Sequence, residues 1–273
     1  MTRETIHDLV ERPFAALVAQ LEAGRSDTLK TYLAAVARFH RYSWTNQFLI
    51  ASQRPEATRV AGFQTWRCLG RWVRRGEKGI TIIAPIIRRA REQADPLDAD
   101  TRSEPVGFRA AYVFDVAQTD GEPLPDLERT ADGDPRHHTV LLEQAVRDAG
   151  VVLSDADDLG GAHGVSLPGC IQILSTLGAC DRFATLAHEF AHELLHRRGD
   201  DRPTCKTVRE TEAEAVAYIV CSAVGVQPRV AASDYIGLYD GSADTLRASL
   251  ARIQAAARTI IHAVVVAPGN LSC

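Results

Sequence analysis

The sequence predicts an α+β protein of two domains, and three observations carry that expectation. Amphipathic helical spacing recurs at both ends of the chain, glycine-punctuated apolar stretches lie between residues 60 and 116, and an acidic, proline-rich segment separates the halves. A chain of 273 residues has enough interior for a core in each half.

In the first half, Leu9, Phe14, Leu17 and Leu21, then Leu33, Val36 and Ala37, fall at helical spacing and predict two helices before Ile50, with Asp27 capping the second. Ile80–Ile87 and Phe108–Val116 read as strands joined by a long polar loop, Glu92–Pro105, so a small sheet packed on two helices follows. Gly121, Pro123, Pro125, Gly133 and Pro135, with six acids among them, give Gln118–Arg136 the composition of an exposed linker. Beyond it, helices are expected over Thr139–Ala149, Asp181–Arg198, Val208–Val224 and Asp244–Val264. A strand is expected at Val151–Leu153 and a hairpin at Gly164–Leu167 and Cys170–Leu174. The expected domains are 1–117 and 139–265, with a linker at 118–138 and a tail at 266–273.

Hydrophobic residues make up 45% and charged residues 24%, which excludes wholesale disorder and fibrous repeats. No apolar run approaches the roughly 18 to 20 residues that cross a bilayer, and acids at Glu4, Asp8 and Glu11 argue against a signal peptide, so a cytoplasmic protein without a membrane partner is expected. Six scattered cysteines without a CxxC pair are expected to be reduced and mostly buried. The formal net charge of −4 excludes a generic polycation, yet Arg59–Arg91 holds nine basic residues against one acid, Glu77.

The sharpest local signal is His188-Glu189-Phe190-Ala191-His192. Histidines four apart share one helix face and can bind one divalent ion, and the intervening glutamate can take a proton from a water that the ion acidifies. His192 to His196 repeats the pattern in an overlapping frame; the first frame is preferred because Leu186, Ala187, Phe190 and Ala191 flank it, leaving His196 as a lip or supporting residue. A third ligand is expected from the acids of Arg209–Ala215, with Glu210 as ligand and Glu214 as its neighbour or alternative. The implied chemistry is metal-assisted hydrolysis of a protein or peptide, with Glu189 as general base, Tyr235 as a candidate oxyanion donor, and the edge of the 164–174 hairpin as a place for an extended substrate. The ion is expected to be Zn2+, with another divalent ion such as Mn2+ as the alternative.

The segment Arg67–Gly79 joins Arg67, Arg71, Arg74, Arg75 and Lys78 to Trp66 and Trp72, with Trp44 nearby in the text. Cations attract phosphates and rings stack on unpaired bases, so single-stranded nucleic acid is the matching ligand, against a solvated charged surface with its tryptophans in the core.

Gly62-Phe63-Gln64-Thr65-Trp66, Leu69-Gly70, Val73–Gly79 and Val113–Gln118, with Ser43–Gln47 upstream, resemble the single-stranded DNA-binding domain of ArdC-type antirestriction proteins. His188–His192 followed by Glu210–Tyr218 resembles the ImmA/IrrE-like gluzincin metallopeptidases that form the other half of such proteins. The resemblance implies a single-stranded DNA-binding module, with Asn46 among its DNA-contacting residues, joined to a zinc peptidase domain that uses His188, His192 and Glu210. It further implies protection of incoming DNA from restriction. The alternatives are a regulatory protease that cleaves a DNA-bound repressor, and a non-enzymatic DNA-coating protein with a structural metal.

Overall fold

The computed structural model describes residues 3–87, 105–124, 135–197, 205–226 and 242–265. The arrangement is mixed α+β, with eight α-helices and three small sheets among the described residues. Two compact units form, and they do not follow chain order: Met1–Ala16 with Thr45–Leu124, and Leu17–Trp44 with Pro125–Cys273.

In the first unit, the start of α1 (Arg3–Glu22) and helix α3 (Trp44–Gln53) bury Val10, Phe14, Phe48 and Leu49, with the Phe14 and Phe48 rings edge to face at 6.2 Å. Strands β1 (Val60–Gly62), β4 (Pro105–Asp115) and β3 (Ile80–Ile87) form an antiparallel sheet in the order β1-β4-β3. Cross-strand partners share a face, and the row holding Ile80, Ile82 and Val113 is buried. The open edge of β3 is covered by α3: the Asn46 amide both donates to the Ile83 carbonyl and accepts from its N–H, each at 2.8 Å, and Gln53 does the same at Thr81. Side-chain amides thus stand in for a missing strand.

A second junction is built by Asp115, which is 1% exposed. Its carboxylate accepts from the backbone N–H groups of Thr58, Arg59 and Ala117 and, with Gln118, forms the capping box of a short turn, Val116–Gln118. Asp115→Ala leaves three backbone donors without their acceptor and is expected to destabilise this unit by roughly 3 kcal/mol. A urea melt that moves by less than a third of that would contradict this account of Asp115.

Helix α4 (Phe63–Cys68) and the two-stranded sheet of β2 (Arg71–Val73) and β5 (Thr119–Gly121) complete this unit. The second unit packs α2 (Asp27–Arg38), α5 (Arg136–Asp148), α6 (Ala179–His196), α7 (Lys206–Ala223) and α8 (Ala243–Val265) with a sheet ordered β6-β8-β7. Here β6 (Val152–Ala156) runs parallel to β8 (Cys170–Leu174), and β7 (Gly164–Leu167) pairs antiparallel with β8 as an edge.

Several expectations change. Three helices, not two, precede Gln53, because Trp44–Ile50 supplies a further helical turn pattern whose amides face β3. Ser26, not Asp27, sits at the cap of α2, and Gly178, not Asp181, at that of α6; both aspartates instead lie in the first helical turn, where a negative charge suits the helix dipole. Among the described cysteines only Cys221 is buried, since Cys68 and Cys205 lie at helix ends facing solvent. Among the described residues no helix is long and apolar enough to cross a membrane.

Candidate functional site

Helix α6 turns its apolar side, Phe183, Leu186, Ala187, Phe190 and Ala191, into the interior, and this fixes the direction of its histidines. His188 and His192 lie one turn apart with their Nε2 atoms 3.1 Å from each other. Helix α7 packs beside α6 and brings the Glu210 carboxylate to 3.6 Å from His188 Nε2 and 3.4 Å from His192 Nε2. An ion bonded tetrahedrally at about 2.1 Å holds its donors about 3.4 Å apart, so these three atoms fit one face of such a coordination shell. The expected ligand set therefore converges in space, and two imidazoles with one carboxylate suit a divalent transition ion.

Burial pushes the pKa values of both histidines down, and at His192 the neighbouring His188 adds to this. Both rings are neutral and able to donate a lone pair near pH 7. Glu214 lies half-buried on α7, close enough to His188 for its charge to be felt there. Glu189 is 8% exposed; burial first, and then the charge of Glu210, push its carboxyl up to about 7. Its carboxylate accepts from the Ser166 N–H of β7. The strand and helix touch at Gly164, where an added Cβ would stand 2.6 Å from the Thr185 methyl and 2.9 Å from Glu189 Cγ. Only glycine allows that approach.

The overlapping second frame is used differently. Glu193 accepts from Ser166 Oγ at 2.7 Å and from the Gly169 N–H at 3.3 Å, and it pairs with Arg197 at 3.1 Å, which fastens α6 to the β7–β8 hairpin. His196, 5% exposed, faces away from the ligand triangle. With Nε2 of His192 turned to the metal position, its Nδ1–H donates to His196 Nδ1 at 3.0 Å, and His196 Nε2–H donates to Glu212 at 2.9 Å. Glu212 is fully buried and also accepts from Arg252 of α8 at 2.5 Å. Sequence reasoning grouped Glu212 with the neighbouring acids and gave it no role; its spacing of two from Glu210 turns it toward α6 and α8 on another face of α7.

The hairpin edge is already engaged at Ser166, whose N–H goes to Glu189 and whose carbonyl accepts from Arg197. Tyr235 lies outside the described residues.

In the first unit the basic segment divides into two groups. Arg71 donates to Thr119 Oγ1 at 2.8 Å, to the Thr119 carbonyl at 3.0 Å, and to the carbonyls of Gly121 and Glu122, so it clamps β5. Arg74 pairs with Glu77 at 2.8 Å and Asp120 at 3.4 Å and donates to the Ala117 carbonyl. Trp66 is 2% exposed and its indole N–H donates to the Phe114 carbonyl, Asn46 is tied to β3, and Trp44 is half-buried at the start of α3. By contrast Arg67, Arg75 and Lys78 are exposed without an ion pair among the described residues, and Trp72 is 57% exposed.

Residues 7–114 match the family model of the N-terminal domain of anti-restriction factor ArdC. The chain is similar to that domain over this stretch. Its fold extends that likeness over the remaining length: the metal-free crystal structure of ArdC from the R388 plasmid aligns with 95% of this chain and 98% of its own, at a TM-score of 0.55 and 20% identity. The Mn(II)-bound structure of the same ArdC aligns with 96% and 99%, at 0.56 and 18% identity. At such identities the likeness is one of fold. An uncharacterized protein of Bacillus anthracis is 22% identical over 272 residues, covering 84% of this chain. The chain spans about half the length of that relative, 46%.

Proposed function

We propose that this ArdC-like chain is an antirestriction protein that binds single-stranded DNA through its first unit and holds a divalent ion in a hydrolytic site on its second. The observation that carries the reading is the match of residues 7–114 to the N-terminal domain of an anti-restriction factor. The compact units supporting it interleave along the chain, and the functional division at 1–117, 118–138 and 139–265 is retained as part of the proposal.

His188, His192 and Glu210 hold the ion, Zn2+ or, as in the R388 relative, Mn2+. Such an ion supplies a Lewis acid and an acidified water. The Glu189 carboxylate, poised by burial near neutrality, takes up the proton and returns it to a leaving amine. Three protein ligands rather than four, with an acid-base group in the adjoining turn, support a hydrolytic centre over a purely structural one. An extended peptide that paired with β7 would displace Arg197 from the Ser166 carbonyl. Tyr235 remains the proposed oxyanion donor, with Glu214 and His196 as supports of the ligands.

Arg67, Arg75 and Lys78 supply phosphate contacts and Trp72 a stacking surface, while Arg71, Arg74, Trp66, Asn46 and Trp44 hold the scaffold that displays them. Fluorescence anisotropy with an oligothymidylate across a salt series tests this. Arg67/Arg75/Lys78→Ala is expected to weaken binding and to flatten the salt slope by about two, at roughly 0.7 per lost phosphate contact on a single strand. Wild type that binds neither single-stranded nor duplex DNA at moderate salt would overturn the DNA-binding half of the proposal and leave the metal centre.

A further inference from the structure

The sheet of the first unit has one buried face and one that carries large aromatic side chains in the open. In β4, Phe108 is 59% exposed and Tyr112 is 60% exposed. Their cross-strand partners on β3, Pro85 and Thr81, lie on the same face, and between the two pairs sits a row of Ala110 and Ile83. Residues four apart on a strand stand about 13 Å from each other. Two rings therefore rise on either side of a row to which β4 contributes only the Ala110 methyl, beside Ile83 of β3.

The end of this face nearest Tyr112 meets the basic turn. A Cβ added at Gly79 would fall 2.9 Å from Tyr112 Cβ and 3.2 Å from Phe114 Cζ, so both aromatic residues lie against the Gly79 backbone. Lys78, the adjoining residue, and Arg75 in the same turn are exposed and outside any ion pair among the described residues. Cations at one end and exposed rings along the face form the combination that single-stranded nucleic acid recognises: phosphates to the cations, unpaired bases on the rings.

We infer that Tyr112 and Phe108 form a base-stacking platform, with single-stranded DNA running from the Lys78 turn along the exposed face of the β1-β4-β3 sheet. This rests on the DNA-binding reading above and adds to it the track of the strand and the residues that read its bases. An exposed pair of rings of this size on a sheet face is otherwise a liability for aggregation, and the local charge marks an anionic ligand rather than an apolar one. Stacking is tolerant of sequence, since every base has a face, so little preference among the four bases is expected.

The test uses the full-length chain and two probes of equal charge: an oligothymidylate, and an oligomer of the same length in which abasic spacers replace the bases. Wild type is expected to bind the base-bearing strand at least ten-fold more tightly than the abasic one. Phe108→Ala/Tyr112→Ala is expected to lose about ten-fold or more on the base-bearing strand, to bind the abasic strand as wild type does, and to keep the salt slope. Tyr112→Phe is expected to retain binding. A double variant with wild-type affinity for the base-bearing strand would overturn the platform while leaving DNA binding in place, whereas a wild type that binds neither probe would overturn both readings. A sedimentation coefficient of the free protein that falls with the double substitution would assign the face to a second copy of the chain instead. Circular dichroism of Tyr112→Phe and of the double variant separates lost stacking from lost fold.

Discussion

Glu189→Gln is expected to keep the fold and the bound ion and to lower metal-dependent peptide hydrolysis by 10²- to 10⁴-fold, the range that a positioned acid-base group contributes. The substitution preserves size and hydrogen-bonding reach, and the Ser166 N–H can still donate to the amide oxygen, so packing against Gly164 is undisturbed. What it removes is the capacity to hold a proton. In the metal-free protein burial and the charge of Glu210 push that carboxyl up to about 7; a dication held by Glu210 would oppose the second of these and favour the carboxylate that accepts the proton. Cleavage of a mixed peptide library, measured beside metal content, reads the effect. Unchanged cleavage with full metal occupancy would end the role given to Glu189. Plating efficiency in a restricting host, assayed in parallel, separates two of the rival functions: protection that survives Glu189→Gln but not the loss of Arg67, Arg75 and Lys78 belongs to DNA binding alone.

The convergence of His188, His192 and Glu210 was legible because its parts are local. Two histidines four apart land on one face of any helix, and an apolar flank fixes which face is buried. Glu210 required only a second helix lying alongside the first, and it converges with the histidines as the spacing on α7 implied. That His188 and His192, rather than His192 and His196, converge with Glu210 was also readable from the flanks, but where the Glu193 carboxylate goes was not. Its partners, Ser166 and Gly169, lie in a hairpin some twenty residues earlier, and nothing local announces them.

The basic segment was harder to read, because charge counts do not distinguish a cation that holds a strand from one that faces solvent. Arg71 and Arg75 look alike in the text, yet Arg71 clamps β5 across a separation of about fifty residues while Arg75 stays open. Phe108 and Tyr112 were read as strand residues only. Alternation made half of that strand a core face, and which half is exposed depended on its register with β3. The interleaving of the two compact units was hidden for the same reason: α2 is amphipathic in the text, but the text does not say that its apolar face meets α7.

A loss of stability coupled to a loss of metal affinity is expected at Glu212. Glu212→Ala removes the acceptor of His196 and of Arg252, leaving the buried imidazole N–H unanswered between α6 and α7 and the Arg252 guanidinium with Ser249 Oγ as its acceptor. The cost is about 3 kcal/mol, the lower end for breaking a buried pair, since Arg252 keeps some access to water. The same change releases His196, and through it the Nδ1–H of His192, so the ring that must aim Nε2 at the ion loses its orientation. A 10- to 100-fold loss of Zn2+ affinity by calorimetric titration is expected, the usual size of such outer contacts. His196→Ala should lose metal affinity by a similar factor with a smaller loss of stability, because it leaves Glu212 paired with Arg252. Burial pushes the Glu212 carboxyl up, but hydrogen bonds from His196, Ser249 and Arg252 outweigh that and hold it below the ordinary carboxylate range. A carboxyl depressed in the folded state contributes stability that is present above its unfolded value of about 4.3 and is lost as pH falls through the lower, folded value. In the metal-free protein, melting temperature should therefore fall more steeply below pH 4.3 for wild type than for Glu212→Gln. Between that range and about 6.5 the lowered histidines His188 and His192 contribute stability that rises with pH, while Glu189, raised to about 7, contributes stability that is lost as pH rises, so these offset in both proteins and the difference between them is confined to the acid end. Parallel curves at the acid end, or a Glu212→Ala variant that binds Zn2+ as wild type does, would separate Glu212 from the metal centre and leave it a helix-packing residue alone.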